Sequence, residues 1–496
     1  MRVSVVVPVF DPGRYIEDLI TSLQAQTLDP SEFEVVLVDD GSTDATPALL
    51  DALAASDARF RVIHTPNSGW PGRPRNLGID AARGDYVFLS DHDDRLHPEA
   101  LQRLTDFAIE HGSDVVAGRV IGVGRSAPER IFARTVVDAQ QDPGLLVTSL
   151  TPQKLYRRAF LQEQDIRFPE GRRRLEDHLF VTKAYLRARR VSVYADSPVY
   201  YFVLRDDGRN ASRTPVEWHG YFANAAESIA VVDAEAPDEA TRLVMRARWL
   251  RVEAIGRLRG RRFLGQKDRE GLLDATQRLL QEHYAVAEVD RLGPADRLVG
   301  RLLLDGRTED VAAFAAWEAA IGVHVQVDEA ALRPDALVLA LRAETTAAYP
   351  LPAALAALPE GYPDRSAIER TGRLPGSASV TAQLRGPGGT VVELATDAAV
   401  VEGVLSATAR GGLAPMSEGV WRLRTAVRGA GLPAAETPHA ASVDPQRVRS
   451  AERRFALAID GKHRLVVTVE RSGLLPAVDR AAHRLRSGLG WRLRGR

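Results

Sequence analysis

The sequence has no cysteine, no long apolar run and no excess of charge of either sign. Zero cysteines among 496 residues exclude disulfides, thiolate metal sites and cysteine nucleophiles together. No window of about 18 apolar residues occurs, so no membrane-spanning helix is expected, and the apolar N-terminal stretch is too short for a signal peptide. A formal net charge of -1 does not suggest nucleic acid as a partner. We therefore expect a cytoplasmic protein, with the inner face of the cell membrane as an alternative location.

The length and composition indicate a folded protein of several domains. A chain of 496 residues is too long for one ordinary core, and 45% hydrophobic with 26% charged residues is typical of globular proteins. Changes of pattern along the chain predict four regions, with the bounds 1–214, 215–322, 323–471 and 472–496.

The first region alternates strand and helix patterns. Apolar runs rich in Val and Ile predict strands at Val3–Val9, Glu34–Val38, Arg61–His64, Tyr86–Leu89 and Asp114–Val120. Helical patterns lie near Tyr15–Gln26, Ala45–Ala55, Arg73–Ala82 and Pro98–Glu110. Apolar strands separated by helices indicate an α/β domain whose mainly parallel sheet is covered on both faces. Such sheets bind ligands at the carboxyl ends of their strands.

The other three regions carry different patterns. Apolar residues at helical spacing predict helices at Trp218–Val232, Glu239–Phe263, Lys267–His283 and Thr308–Ala320. Short alternating segments separated by Gly and Pro predict an antiparallel β-sandwich over 323–471. Trp421 in this region is either a core residue or a platform on which a sugar stacks. The basic amphipathic segment 472–496 predicts a helix that binds either an anionic membrane surface or another subunit.

Two polar motifs follow the second and third predicted strands. In "VDDGSTD", Asp39 and Asp40 lie at a strand end, where a carboxylate can accept hydrogen bonds from a base or a ribose hydroxyl, whereas Asp44 is better explained as a helix N-cap. The segment "NSGWPGRPRNLGID" begins a helix that carries Arg75. A guanidinium near a helix N-terminus favours a diphosphate, and a solvated loop arginine is the alternative.

The segment "YVFLSDHDD" places Asp91, Asp93 and Asp94 within four residues at the end of an apolar run. Carboxylates this close repel one another, so they are either solvated or gathered around a cation. Oxygen ligands in an Asp-x-Asp pattern suit a hard divalent ion, Mn²⁺ or Mg²⁺. His92 and His97 are possible additional ligands.

The segment "GRRRLEDHLF" begins a predicted helix with Glu176 and Asp177. These carboxylates are either first-turn acids that the helix dipole favours or a site in which one acts as a general base on an acceptor hydroxyl. The preceding arginines, Arg172–Arg174, would suit an anionic acceptor or a donor phosphate.

Together these motifs resemble the family-2 glycosyltransferases with the GT-A nucleotide-sugar-binding fold. The likeness covers roughly residues 2 to 200 and rests on "VSVVVPVFDPGRYIEDLITSLQAQT", "EVVLVDDGSTDAT", "RPRNLGI" with "ARGDYVFLSDHDD", and "LEDH", in the family's order. It implies inverting transfer of a sugar from a nucleotide-diphosphate donor, above all a UDP-sugar, with Mn²⁺ or Mg²⁺ as cofactor.

By position in those motifs, the resemblance assigns roles to eight residues. Nucleotide-contacting residues would be Pro8, Asp40, Asn67, Arg75 and Asp91. Asp91 and Asp93 would be the metal pair, with Asp93 as the direct ligand. Asp177 would be the catalytic base, with Glu176 as its neighbour.

Two departures from the family pattern bear on specificity. His92 stands where the family has a small residue, which leaves the donor sugar open. The segment "MRARW" (Met245–Trp249) lacks the Gln of the Gln-x-x-Arg-Trp motif of processive synthases, so we expect addition of a single sugar.

The whole layout is also similar to bacterial enzymes that glycosylate poly(ribitol phosphate) wall teichoic acid. Those enzymes join a GT-A domain to helices and, in some members, to immunoglobulin-like modules used in trimerisation. This likeness implies an acceptor on a cell-wall or surface glycan, in particular an anionic polyol-phosphate polymer. It also implies an immunoglobulin-like β-sandwich and a homo-oligomer, either trimer or dimer.

Two other functions compete with this prediction. A degenerate GT-A protein would serve as a glycan-binding or assembly module, although intact Asp91, Asp93 and Asp177 argue against it. A sugar nucleotidyltransferase would carry a Gly-rich phosphate loop with Arg or Lys, whereas "VPVFDPGRY" offers only Gly13. Dehydrogenase and P-loop functions fail because neither GxGxxG nor GxxxxGK[ST] follows the first strand.

Overall fold

The computed structural model describes most of the chain as two compact units. The described residues are 1–208, 215–345, 351–355, 358–371, 373, 377–387, 390–401, 404–428, 439–440, 445–449, 453–459 and 464–471. The first unit comprises Met1–Arg257 and Asp268–Glu288, and the second comprises Leu258–Lys267 and Val289–Arg496. The predicted helix over 472–496 lies outside the described residues and stays a prediction. No helix in the described part of the chain is long and apolar enough to cross a membrane.

The first unit is built on an eight-stranded mixed sheet. Its strands are β1 (Val3–Val9), β2 (Phe33–Asp39), β3 (Phe60–His64), β4 (Tyr86–Leu89), β5 (Arg95–Leu96), β6 (Val115–Val123), β7 (Leu155–Arg157) and β8 (Val191–Val203). Their order is β3-β2-β1-β4-β7-β6-β8-β5. The first four strands in this order are parallel, as predicted. β7 runs antiparallel to both β4 and β6, and its three residues are too few for the sequence pattern to reveal.

Helices of the first unit connect these strands and cover the sheet. They are α1 (Tyr15–Gln24), α2 (Thr46–Ser56), α3 (Gly72–Ala81), α4 (Ala100–His111), α5 (Pro143–Leu146), α6 (Arg158–Glu163) and α7 (Glu176–Arg187). β1 and β2 are buried along their whole length because helices cover both faces. Gly78 lets α3 lie close to the sheet, since a Cβ there would stand 2.3 Å from Cγ1 of Val6.

The helical region is shared between the two units. It contains α8 (Trp218–Glu235), α9 (Glu239–Arg248), α10 (Gly260–Leu264), α11 (Arg269–His283), α12 (Val286–Asp290), α13 (Pro294–Leu304) and α14 (Thr308–Ala320). The single helix predicted over 239–263 is wrong, because α9 passes through a π-helical turn at Trp249–Ala254 and a 3-10 turn at Ile255–Arg257 and ends before Arg259, whose backbone is extended. This wider turn aligns residues five apart, so Arg248 reaches Glu253 at 2.8 Å.

The second unit carries a ten-stranded sheet. Its elements are β9 (Val323–Leu332), β10 (Ala336–Thr345), α15 (Arg365–Arg370), β11 (Ser379–Arg385), β12 (Val391–Val401), β13 (Val404–Gly412), β14 (Gly419–Arg428), β15 (His439–Ala440), β16 (Gln446–Arg449), β17 (Arg453–Ile459) and β18 (Leu465–Arg471). The order is β15-β9-β10-β13-β12-β11-β14-β18-β17-β16, and the pairing is antiparallel except between β15 and β9. Trp421 is fully buried in its core, which rules out the sugar-stacking alternative.

Candidate active site

The carboxyl ends of β1, β2 and β4 meet at one edge of the first sheet. The residues that follow them remain adjacent: the Asp40 amide donates to the Val9 carbonyl at 2.8 Å, and the Ser90 amide donates to Val6 at 3.0 Å. Nδ1 of His92 lies 3.2 Å from the Pro8 carbonyl. Pro8, Asp40 and the acidic turn after β4 therefore lie side by side at this edge of the sheet, as the strand pattern predicted.

Asp40 and Asn67 come together across this edge. Asp40 is buried, and its carboxylate accepts hydrogen bonds from the Ser68 amide at 3.0 Å and from the Ser68 hydroxyl at 2.9 Å. Burial raises the pKa of Asp40, against the effect of those hydrogen bonds. Gly41 permits the close approach, because its φ is +72° and a Cβ there would lie 2.7 Å from the Asn67 nitrogen.

Asp39 has a structural role instead. Its Oδ1 accepts from the Ser42 amide at 3.0 Å, and its Oδ2 lies 2.8 Å from Nδ1 of His64. The hydrogen bonds to Asp39 and then to Asp51 raise the pKa of His64. Of these two adjacent acids, Asp40 is the one whose carboxylate bonds to Ser68 in the loop that carries Asn67.

Arg75 bridges two of the predicted motifs. Its Nη2 lies 2.8 Å from Oδ1 of Asp91, and its Nη1 lies 3.2 Å from Oε1 of Glu176. The guanidinium is buried and lies 5.2 Å from the centre of the Phe168 ring. A planar guanidinium suits this double role. Arg75 therefore joins the acidic turn to the helix that bears the predicted base.

Asp91 is engaged on both oxygens. Arg75 occupies Oδ1, and the side-chain amide of Gln153 donates to Oδ2 at 2.6 Å. Asp94 faces inward and is buried. Burial and the charges of Asp91 and Asp93 raise the pKa of Asp94 well above its usual value. Asp91 and Asp94 are therefore both held by donors of the protein itself.

The residues around Asp93 fit a divalent cation that shares its coordination with a diphosphate. Burial raises the pKa of Asp93 and the charge of Asp91 raises it further, against the charges of His92 and Arg205. A divalent cation would offset the remaining repulsion between Asp91 and Asp93. In the described residues no three His, Cys, Asp or Glu side chains form a metal cage. Mg²⁺ and Mn²⁺ suit this arrangement, because in nucleotide sites phosphate and water oxygens complete the shell.

His92 and His97, the two possible additional metal ligands, contact other groups of the protein. Nδ1 of His92 donates to Pro8, and its Nε2 lies 3.4 Å from Nη1 of Arg205. Nδ1 of His97 accepts from the Glu99 amide at 3.3 Å. Neither histidine is therefore offered as a metal ligand.

The predicted base lies at the start of α7. Leu175 precedes it with φ of 61°, an unusual left-handed conformation for leucine. Burial raises the pKa of Asp177 to about 6, against the charge of Arg75 and the amide of His178, which donates to Oδ1 at 2.9 Å. Burial and the charge of Asp177 also raise the pKa of Glu176. A carboxylate that titrates near neutral pH is suited to take a proton from a hydroxyl.

The raised pKa of Asp177 predicts how the rate of turnover depends on pH. The predicted role as base requires the unprotonated carboxylate, so turnover should be full well above pH 6 and should fall about tenfold per unit below it. The measurement is kcat/KM between pH 5 and 8, because this ratio reports the pKa values of the unliganded enzyme. A rate that stays constant across this range would show that a different group accepts the proton.

Three buried residues of the site escaped the sequence analysis. Gln153 and Lys154 lie just before β7, and Arg205 follows β8. Burial lowers the pKa of the Lys154 amine to about 7, against the charge of Asp177. Arg205 pairs with Asp207 at 2.7 Å and lies 4.4 Å from the centre of the Tyr15 ring. Their segments carry no motif, so only spatial proximity reveals them.

The three arginines before α7 differ in their surroundings. Arg173 pairs with Glu227 of α8 at 2.8 Å, and Arg174 lies 5.6 Å from the centre of the Trp70 ring. Arg172 is exposed. Because their surroundings differ, these contacts do not support the prediction that all three arginines bind the same anionic ligand.

Comparison with known proteins identifies the family of this chain. The model of "Glycosyl transferase family 2" matches residues 4–195, and that of the "Glycosyl transferase TarS linker domain" matches 218–315. The crystal structure of Staphylococcus aureus TarS 1–349 in complex with UDP-GlcNAc is 30% identical with a TM-score of 0.57, over 64% of this chain and 90% of that one. The chain belongs to the family-2 glycosyltransferases. The predicted resemblance is thereby confirmed.

Named relatives of this family-2 chain act on poly(ribitol phosphate). It is 35% identical over 252 residues to a poly(ribitol-phosphate) beta-glucosyltransferase of Bacillus spizizenii, covering 50% of this chain and 40% of the relative. It is 37% identical over 224 residues to the poly(ribitol-phosphate) beta-N-acetylglucosaminyltransferase TarS of Staphylococcus aureus, covering 45% and 39%. The alignments thus span about 40% of these relatives' length.

The likeness of fold extends through the second unit. The crystal structure of TarS matches 96% of this chain and 86% of its own, with a TM-score of 0.57 and 20% identity. At this identity the match concerns the fold alone. The predicted fold class, an α/β domain followed by helices and an antiparallel β domain, is confirmed.

Proposed function

We propose that this family-2 protein transfers a single hexose or N-acetylhexosamine from a UDP-sugar to a hydroxyl of poly(ribitol phosphate), with inversion. The observation that carries the proposal is the Arg75 bridge, which places the acidic turn at Asp91 beside the helix that begins with Glu176 and Asp177. The proposed donor-binding and proton-accepting groups would thereby lie close to each other. The UDP-GlcNAc complex of a TarS fragment 30% identical to this chain, and the poly(ribitol-phosphate) relatives, support this donor and acceptor.

On the donor side, the nucleotide would lie along the edge formed by Pro8, Asp40 and Asn67. The buried Asp40 carboxylate is suited to accept a hydrogen bond from the base, and Ser68 holds it in place. Asp93 would hold Mn²⁺ or Mg²⁺, which when bound stabilises the negative charge of the departing diphosphate. Asp91, fixed by Arg75 and Gln153, would contact the donor from the side of the ribose.

On the acceptor side, Asp177 would act as the general base. Its carboxylate takes the proton of the attacking hydroxyl while that oxygen bonds to the anomeric carbon and the bond to the UDP oxygen breaks. One base on the face opposite the leaving group is enough for an inverting displacement. Glu176 is held by Arg75 at 3.2 Å, so its role is to fix the start of α7 beside the donor.

The test measures UDP release with Mn²⁺ from UDP-GlcNAc and UDP-glucose, with and without poly(ribitol phosphate). We expect acceptor-dependent release from one of these donors and the sugar recovered on the polymer in the β configuration, since α-linked UDP-sugars would invert. Donor binding without transfer to any acceptor would instead favour the glycan-binding module. The reverse reaction, formation of UDP-sugar from UTP and a sugar phosphate, would identify a nucleotidyltransferase.

Two further expectations stay proposals, and both concern the assembly. They are a homo-oligomer of two or three subunits and contact of residues 472–496 with an anionic membrane. Sedimentation of the full chain, alone and with anionic vesicles, addresses both directly.

A further inference from the structure

One buried hydroxyl contacts three residues of the acidic turn between β4 and β5. It belongs to Tyr200 of β8, whose side chain is 1% exposed. The Tyr200 hydroxyl accepts from the Asp91 amide at 3.0 Å, donates to Oδ2 of Asp94 at 2.9 Å and lies 3.1 Å from the hydroxyl of Ser90. The phenol therefore ties the first, second and last residues of the turn 90–94 together.

Asp94 extends this contact to the end of β8. Its second oxygen, Oδ1, accepts from the Val203 amide at 2.8 Å. Both oxygens of Asp94 are thus taken up by β8, and only 4% of this residue is exposed. The third acid of "SDHDD" consequently faces the protein interior, away from any ligand in the crevice.

Strand pairing fixes the two ends of the same turn. Before it, β4 pairs with β1. After it, Arg95 and Leu96 of β5 pair with Tyr201 and Tyr200 of β8, and the His97 amide donates to Val199 at 2.9 Å. The turn that contains His92 and Asp93 is therefore fixed at both ends by strand pairing, and the buried Tyr200 hydroxyl contacts it from the protein interior.

We propose that Tyr200 and Asp94 are positioning residues that hold Asp93 where it can bind a divalent cation carried by the donor diphosphate. The proposal rests on the proposed function, because it assumes the cation and nucleotide site. A ligand held in advance loses little conformational freedom when the cation binds. Loss of a partner that orients a metal ligand typically weakens metal binding by about 10- to 100-fold.

The decisive variant is Tyr200→Phe, which keeps the ring and removes only the hydroxyl. UDP binding to the full chain is measured by calorimetry, with Mn²⁺ and with EDTA. We expect UDP affinity in Mn²⁺ to fall about tenfold and affinity in EDTA to stay the same. A residue that merely stabilises the fold would lower the melting temperature and leave the Mn²⁺-dependent gain in affinity intact, and that result would overturn the proposal.

Tyr284→Phe is the matched control. The Tyr284 hydroxyl is also buried and donates to a carbonyl, that of Arg246, at 3.1 Å within the helical region. Its loss should leave UDP affinity unchanged both with Mn²⁺ and with EDTA. If Tyr200→Phe does not fold, Asp94→Asn serves instead, since the amide can accept from only one of the two donors. The same fall in Mn²⁺-dependent affinity is expected.

A double variant tests whether the effect passes through Asp93. In an Asp93→Asn background, Tyr200→Phe should weaken UDP binding no further. An equal additional loss would overturn the positioning role. If the UDP affinity of the wild type is the same with Mn²⁺ and with EDTA, that result would overturn both this inference and the proposed metal site. A wild type that responds to Mn²⁺, together with a Tyr200→Phe variant that responds equally, would overturn the inference alone.

Discussion

Asp177→Asn should abolish sugar transfer and leave UDP binding intact. Removing a general base typically costs about 10²- to 10⁴-fold in rate. The asparagine keeps the volume and can still accept the hydrogen bond that Asp177 Oδ1 receives from the His178 amide, so the start of α7 should be preserved. Transfer is measured as sugar incorporated into poly(ribitol phosphate), and UDP binding by calorimetry with Mn²⁺.

Asp18→Asn is a matched control for this variant. Asp18 is also a first-turn acid, in α1, and is exposed to solvent. Its replacement should leave the rate unchanged. Turnover of Asp177→Asn within a few-fold of wild type would place the base elsewhere, and a loss of UDP binding equal to the loss of rate would make Asp177 a donor-binding residue.

Asp93→Asn should remove the Mn²⁺-dependent part of UDP binding. A direct ligand should matter at least as much as its supporting partners, so the expected loss of affinity is about 10- to 100-fold or more. In EDTA the variant and the wild type should bind UDP alike, because the amide lacks only the charge that attracts the cation. Calorimetry over a series of Mn²⁺ concentrations makes the comparison.

Asp29→Asn provides the control for charge alone. Asp29 is an exposed acid of the same unit, and its carboxylate accepts hydrogen bonds from the amide and hydroxyl of Ser31. Neutralising it should not alter the response to Mn²⁺. If Asp93→Asn responds to Mn²⁺ as the wild type does, the cation is held by other groups or is not required.

Much of this site could be predicted because each motif is local. Strand β2 ends at Asp39, so Asp40 of "VDD" lies just beyond the strand. Helix α7 begins at Glu176, so Asp177 of "LEDH" lies in its first turn. Parallel strands bring such ends to one edge of the sheet. The metal pair Asp91 and Asp93 was predicted from the Asp-x-Asp spacing after a strand and from the family resemblance, neither of which reveals the partners of each acid.

The roles of individual carboxylates depend on long-range contacts. In the sequence Asp94 looks like a third metal ligand. In the structure its Oδ2 accepts a hydrogen bond from Tyr200, 106 residues away. Arg75 was expected on the nucleotide, yet it also joins Glu176 across 101 residues. Lys154 lies in a segment without a motif and becomes notable only because it is buried near Asp177.

By itself, the sequence determined the alternation of strands and helices, the order of the four motifs and the change to a β domain, because periodicity and strand ends are properties of neighbouring residues. Only the tertiary structure decided which acid is bridged by Arg75 and which is buried beneath the turn. The physical reason is that a carboxylate's role depends on the donors and charges within a few ångströms of it, and folding brings these from distant parts of the chain.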